Sequence, residues 1–343
     1  MDRGLVLSAP GAVAVEELEL DDPGPGEVRV RIVATGVCHS DLHIIENDGW
    51  GHPLPVLLGH EGSGVVEEVG EGVDELRSGD TVVLGWRSAC GKCGPCLRGE
   101  PRRCATPLRA RRRLHRTNGD ALTQALLCGT FATRTNVHAG AAIKVPAELP
   151  PEQACLIGCA VATGVGSVLQ TARVWPGARV AVIGCGAVGL SVIQGARIAG
   201  AAEIHALDLD GRKLEQARHF GATHTGAPEE VDFVFDVVGA PQTFEQALGM
   251  LALGGTVTLI GLSAPEAKAA IELAPFFDRR STVRVSHGGD HLPAEDFPQL
   301  ARYALDGKLD LAGMVSRVIS LDEIVDAFDD MRRGDVIRSV VRL

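Results

Sequence analysis

Aromatic residues are scarce: 4% of 343 positions, with a single tyrosine. Its arginine-rich stretches therefore have no interleaved aromatics, which removes the usual pattern of a nucleic-acid surface. Positive charge is also in deficit. Lys and Arg number 33 against 44 Asp and Glu, a net charge of −11, which argues against general binding to nucleic acid or anionic membrane. No apolar run reaches the ~18 residues of a membrane span, and the Met1 end shows no charged-then-apolar signal stretch. The expectation is a cytoplasmic protein with no membrane partner. Repeats and low-complexity linkers are absent. What remains, 45% hydrophobic and 22% charged, is ordinary globular composition, and the length suffices for two domains.

Cysteine is present in number. Nine cysteines without a secretion signal point to metal or redox chemistry rather than disulfides. Cys90, Cys93, Cys96 and Cys104 read C-x₂-C-x₂-C-x₇-C, a set that closes a tetrahedral zinc with no free position and so is structural. An iron–sulfur cluster is the competing reading; Gly91, Gly94 and Pro95 favour a tight loop around one ion. Cys38 in GVCHSDLH, His60 and Glu61 in GHEGSG, and Cys159 in IGCAVATG are far apart but chemically matched. Two thiolates and an imidazole bind zinc and leave a fourth position open for a Lewis-acid role. Cys128 is expected near the pocket, and Cys155 and Cys185 as small buried residues.

The first third alternates in short β patterns broken by Gly and Pro, such as EVRVRIVATGV and DTVVLGW, and reads as a β-barrel-like domain. Beyond about residue 150, strands and helices alternate, which indicates a doubly wound parallel sheet. The loop-rich texture returns late, LDEIVDAFDDMRRG reads as a helix ending at Gly334, and VIRSVVRL reads as a strand. The expected class is α/β, with residues 1–159 forming the β-rich domain (a metal lobe at about 86–105), 160–286 the parallel sheet, and 287–343 completing the first domain.

Val180 to Ile183 form an apolar strand, followed by Gly184, Gly186 and Gly189 in G-x-G-x-x-G, with Val188 in the same turn, and then a helix pattern. Such glycines permit a tight turn, close approach of backbone to a pyrophosphate, and close helix–sheet packing. Asp208 ends the next strand, at about the 20-residue distance of the acid that holds the ribose of NAD and repels a 2′-phosphate. A helix cap is its alternative role. Lys213 either reaches the adenosine ribose or is a solvated helix residue.

Together these motifs resemble the zinc-dependent medium-chain alcohol dehydrogenases, over nearly the whole chain. The resemblance implies a GroES-like catalytic domain and a Rossmann domain with the active site in the cleft between them, two zinc ions per chain and NAD(H). It implies Cys38, His60 and Cys159 as catalytic zinc ligands, with Glu61 behind the metal and Asp41 orienting the ligand imidazole. Ser40 matches the hydroxyl that bonds the alcohol, and His43 the far end of a proton relay reached through the nicotinamide ribose. His39 and Arg338 match pyrophosphate contacts, and Thr163 a residue beside the nicotinamide. Members form homodimers or homotetramers; STVRVS is the candidate edge strand.

Two stretches, GWRSACGKCGPC and GDHLPAEDFPQL, resemble the branch holding mycothiol-dependent and glutathione-dependent formaldehyde dehydrogenases and the classical alcohol dehydrogenases. Trp86 falls where that branch places an aromatic wall of the substrate pocket; Leu126 and Leu127 either line the pocket or pack in the core. Two features depart from the family. The connection between GATHTG and VDFVFDVVG is short where a helix is usual. The stretch Leu108 to Arg116 carries five arginines, read as a solvated loop or as a seat for an anionic substrate tail or thiol cofactor. The expected reaction interconverts a small-molecule alcohol and its carbonyl compound. A thiol-dependent formaldehyde dehydrogenase, a dedicated biosynthetic reductase and a non-catalytic NAD binder are the alternatives.

Overall fold

A computed structural model describes residues 2–111 and 113–343; Met1 and Arg112, the latter one of the five clustered arginines, lie outside the described residues. Two compact units are present. The first runs to Cys159 and resumes over Leu292–Leu343; the second is Ala160–His291.

In the first unit the strand Glu27–Gly36 organises the rest. Its alternation buries Val28, Val30, Ile32 and Ala34, as the period of two in a strand requires. One edge pairs antiparallel with Glu61–Val69; the other is shared by Arg134–His138 and the C-terminal strand Arg338–Arg342. The last residues of the chain are thus structurally part of the first unit. A second sheet holds Asp2–Ala9 between Ala12–Leu20 and Val56–Leu57. Leu5, Leu7, Leu42, Ile44, Leu58, Phe131 and Phe328 form a core under it. Within that core the Phe131 and Phe328 rings meet edge-to-face at 6.3 Å, a geometry worth about 0.5–1.5 kcal/mol beyond burial.

The second unit is a six-stranded parallel sheet in the order His224–Thr225, Glu203–Leu207, Arg179–Ile183, Val231–Asp236, Leu251–Leu259, Thr282–Val285. Helices Ala187–Ala199, Gly211–Phe220 and Pro241–Gly249 make three of its crossovers. The crossover from Thr225 to Val231 has no helix, only residues 226–230. The unit closes after His291 rather than near 286, because the turn Gly288–Asp290 packs on Ala160–Gly166 and Thr171 Oγ1 donates to Asp290 Oδ2 at 2.7 Å. Among the described residues no single helix is long and apolar enough to cross a membrane.

Candidate active site

Strand register assembles the first centre. Gly36 is paired with Glu61 on one side and Val340 on the other, so the end of one strand brings Cys38, His60–Glu61 and Arg338 together. Cys38 is extended and caps the helix His39–Glu46. Cys159 follows the short 3₁₀ turn Cys155–Gly158. Two glycines are required by close approach. A Cβ on Gly36 would lie 2.1 Å from Glu61 Oε2, and one on Gly59, at φ +93°, would lie 2.3 Å from Phe131 N.

Ligand atoms of Cys38, His60, Glu61 and Cys159 lie within 4.8 Å of one another. His60 Nδ1 faces Asp41 Oδ2 at 3.1 Å, both side chains fully buried. Asp41 Oδ1 accepts the Gly59 N–H at 2.9 Å. His60 Nε2 and Glu61 Oε2 are buried with no hydrogen-bond partner. A buried orphan imidazole nitrogen is costly, and beside two thiols it is what a zinc ligand looks like before the ion is added. The donor set suits zinc.

Electrostatics point the same way. Cys159 donates to Cys38, and this bond, aided by Arg338 and His60 against the cost of burial, holds the Cys38 thiol well below its usual range. The same bond, with burial, pushes Cys159 well up. Burial opposes the His60 imidazolium, but Asp41 and Cys38 outweigh it and raise its pKa. Burial raises the Glu61 carboxyl to about 8 despite Arg338, whose Nη2 is 3.1 Å from Glu61 Oε1. A bound cation would reverse the preference for protons on these ligands.

The second centre is closed. Cys90, Cys93, Cys96 and Cys104 place their sulfurs within 4.8 Å. Cys93 and Cys104 are 3.8 Å apart, matching the ~3.8 Å edge of a tetrahedron with 2.3 Å Zn–S bonds. A cluster with inorganic sulfide between its irons would hold them wider. Cys90 Sγ accepts N–H groups from Lys92 and Cys93 and contacts Thr106 Oγ1; the Thr106 hydroxyl leads in lowering its pKa to about 6. The lobe is tied to the helix Pro293–Leu305 by Arg102, which reaches Glu295 at 2.8 Å and Asp296.

In the second unit the glycine turn follows the buried strand Arg179–Ile183 and opens the helix Ala187–Ala199. Gly184 has φ +94°, a Cβ on Gly189 would lie 1.8 Å from Gly184 O, and one on Gly186 would meet nothing. The space left open at Gly186, ahead of a helix N-terminus, is suited to a pyrophosphate. Asp208 accepts N–H groups from Cys185 at 2.8 Å and Asp210 at 2.9 Å, which fixes its carboxylate and leaves lone pairs for a ribose. Asp210, not Asp208, caps the next helix by accepting from Arg212 N. Val188 and Lys213 are half-buried, and Thr163 lies buried on the helix Ala160–Gly166.

Comparison with known proteins agrees with this geometry. The family model "Alcohol dehydrogenase GroES-like domain" matches residues 24–147, and "Zinc-binding dehydrogenase" matches 187–306. S-(hydroxymethyl)glutathione dehydrogenase of Escherichia coli O1:K1 / APEC is 36% identical over 369 residues, covering 99% of both chains. The chain belongs to the zinc-dependent medium-chain alcohol dehydrogenase family. Two solved structures share the fold across it. An alcohol dehydrogenase zinc-binding domain protein from Burkholderia ambifaria gives a TM-score of 0.94 at 32% identity, covering 100% of this chain and 98% of its own. The benzyl alcohol dehydrogenase of Acinetobacter calcoaceticus gives 0.92 at 29%, covering 100% and 99%. Membership makes the chain an oxidoreductase acting on alcohols, with zinc at both centres and a nicotinamide cofactor.

The remaining expected residues are placed as follows in this dehydrogenase. Ser40 and His43 are half-buried on the helix that Cys38 caps; three residues apart, they share a face. His39 is exposed. Arg338, expected at the pyrophosphate, pairs with Glu61 and donates to Val37 O at 2.8 Å. Trp86 packs on the cluster that includes Leu84 and Cys128, with Arg87 5.5 Å above its ring. Leu126 and Leu127 have φ +46° and +63°, a left-handed pair costing about 1–2 kcal/mol each. Gln124 Nε2 and Thr135 Oγ1 hold that turn through Cys128 O. Burial first, then the Asp41 charge, raises the Cys128 thiol to about 12. In the arginine stretch, Arg113 pairs with Glu27 at 2.5 Å and Arg116 with Glu16 at 2.7 Å. The role of Gly36 in seating Glu61 was invisible in the sequence, where no pattern marks strand register.

Proposed function

We propose that the chain interconverts an alcohol and its aldehyde or ketone with NAD(H), using Ser40 and His43 as the proton path. The observation that carries this is the helix His39–Glu46: it starts at the metal ligand Cys38 and bears both relay groups on one face. When bound, zinc polarises the substrate oxygen and the nicotinamide exchanges hydride with the substrate carbon. Ser40 accepts the hydroxyl proton as it gives up its own toward the nicotinamide ribose hydroxyl, and His43, at the far end of that relay, releases a proton to solvent. Asp41 holds the His60 tautomer. Asp208 selects NAD over NADP by charge. Trp86 and the strained Leu126–Leu127 turn line the substrate pocket, since strain concentrates at functional sites. His39, Thr163, Gly184, Gly186, Val188, Gly189, Lys213 and Arg338 contact the dinucleotide.

A second reading, oxidation of a hydroxymethyl thiol adduct, is favoured by relatives named S-(hydroxymethyl)glutathione dehydrogenase. Against it, two of the clustered arginines are already neutralised by Glu27 and Glu16. The chain is further read as cytoplasmic, where its nine free thiols stay reduced. It is also read as a homo-oligomer through the sheet-edge strand Thr282–Val285, where Val285 is exposed. A panel of aliphatic and aromatic alcohols, and formaldehyde with glutathione or mycothiol, followed by NADH absorbance, separates the two readings. Free-alcohol turnover supports the first; turnover only with formaldehyde and thiol supports the second.

A further inference from the structure

We propose that Glu203, His205 and His224 form a third metal site, for a divalent transition ion such as Zn²⁺ or Ni²⁺, at the edge of the parallel sheet. His205 lies on the strand Glu203–Leu207 and His224 on the two-residue edge strand His224–Thr225, where the two are register partners. Glu203 is two residues before His205 and so projects to the same face. One ligand atom from each of the three lies within 4.8 Å of the others. The Glu203 Oε2 to His205 Nε2 distance is 3.2 Å. Tetrahedral coordination at 2.0–2.1 Å places neighbouring ligand atoms about 3.3–3.4 Å apart, so this pair is already at ligand spacing. The imidazole rings stack at 4.6 Å with an 11° interplanar angle; because ring-nitrogen lone pairs lie in the ring plane, one ring turns when both ligate the same ion.

The ring of His224 is held by a neighbour. Thr223 Oγ1 donates to Ile204 O at 3.2 Å and accepts from Ile204 N at 2.8 Å. Its third contact, 2.8 Å, is with His224 Nδ1, which holds the ring in place. In the tautomer with Nδ1–H donating to Thr223, Nε2 is the nitrogen open to a metal, and Thr223 orients the ring from behind as outer partners of metal-bound histidines do.

Access follows from the missing crossover helix. His205 shares its face with Leu207, which belongs to the core cluster under the helix Pro241–Gly249. That helix packs on Val231–Asp236 and Leu251–Leu259. Only residues 226–230 link the edge strand back to Val231, so among the described residues this crossover supplies no helix to cover the outer end of the face. The Glu203 side chain is half-exposed, that of His205 is 12% exposed, and His224 is exposed. Two imidazoles and one carboxylate favour a transition ion over Ca²⁺ or Mg²⁺, and three ligands leave room for solvent. A bound ion would tie the edge strand to the strand that leads into Asp208.

The test is Ni²⁺ binding to the full-length, zinc-loaded protein, with nickel and zinc per chain measured after gel filtration and affinity measured by calorimetry. The expected result is one nickel per chain with the zinc content unchanged. His224→Asn and His205→Asn should abolish this binding, and Glu203→Gln should weaken it at least about tenfold, a typical penalty for a lost metal-site partner. Alcohol turnover and zinc content in each variant report that the protein is folded. No nickel bound by the parent protein, or nickel bound equally by the folded histidine variants, overturns the proposal.

Discussion

Asp41 Oδ2 lies 3.1 Å from His60 Nδ1, with both side chains fully buried. On the proposed reading the carboxylate holds the proton on Nδ1 and leaves Nε2 for the metal. Asp41→Asn should lower zinc affinity at the catalytic centre about 10–100-fold. Competition with a chelator, with zinc counted per chain, checks this: the variant should lose one zinc more readily while the four-cysteine lobe keeps its own.

Ser40→Ala removes the proposed first member of the proton relay. Turnover should fall about 10²–10⁴-fold, the usual contribution of a positioned acid–base group, with zinc content and NADH binding unchanged. Steady-state kinetics and NADH fluorescence titration on one preparation separate the relay from a structural role. An unchanged kcat would remove Ser40 from the proton path.

Much of this site was legible because its chemistry is local. Cys38, Ser40 and His43 lie in one short helix start, the four cysteines in one lobe, and the glycine turn between one strand and one helix. What the sequence concealed depends on register and packing. Gly36 is one glycine among 42 until pairing sets it beside Glu61 and Val340. The contact of Arg338 with Glu61 joins distant segments through that same register. The short connection before VDFVFDVVG was visible, but its consequence was not, because His205 and His224 become neighbours only when their strands pair.

Asp208 carries negative charge at the strand end beside the glycine turn. Asp208→Asn keeps an acceptor for the Cys185 N–H but removes that charge. The ratio of kcat/KM for NAD⁺ over NADP⁺ should fall at least about tenfold, equivalent to about 1.4 kcal/mol. A ratio that does not move would assign Asp208 to holding the turn alone.

Glu61 gives a pH signature in the metal-free protein. Its carboxyl is raised from 4.5 to about 8 by burial, so the folded state binds this proton more tightly than the unfolded state. The resulting stabilisation is complete below pH 4.5 and is lost as pH rises to about 8. Glu61→Gln stays neutral throughout. Urea denaturation of both chelated proteins across that range should show the parent losing stability relative to the variant as pH rises. A constant difference would contradict the burial assigned to Glu61.

The most direct test of the account is NADH formation from an alcohol by the zinc-loaded enzyme, repeated after selective removal and restoration of the labile zinc. Turnover with NAD⁺ that disappears when that ion leaves, returns when it is restored, and is absent in Cys38→Ser is the predicted result. Turnover that survives loss of the labile zinc, or that persists in Cys38→Ser, would contradict a catalytic role for the centre formed by Cys38, His60 and Cys159.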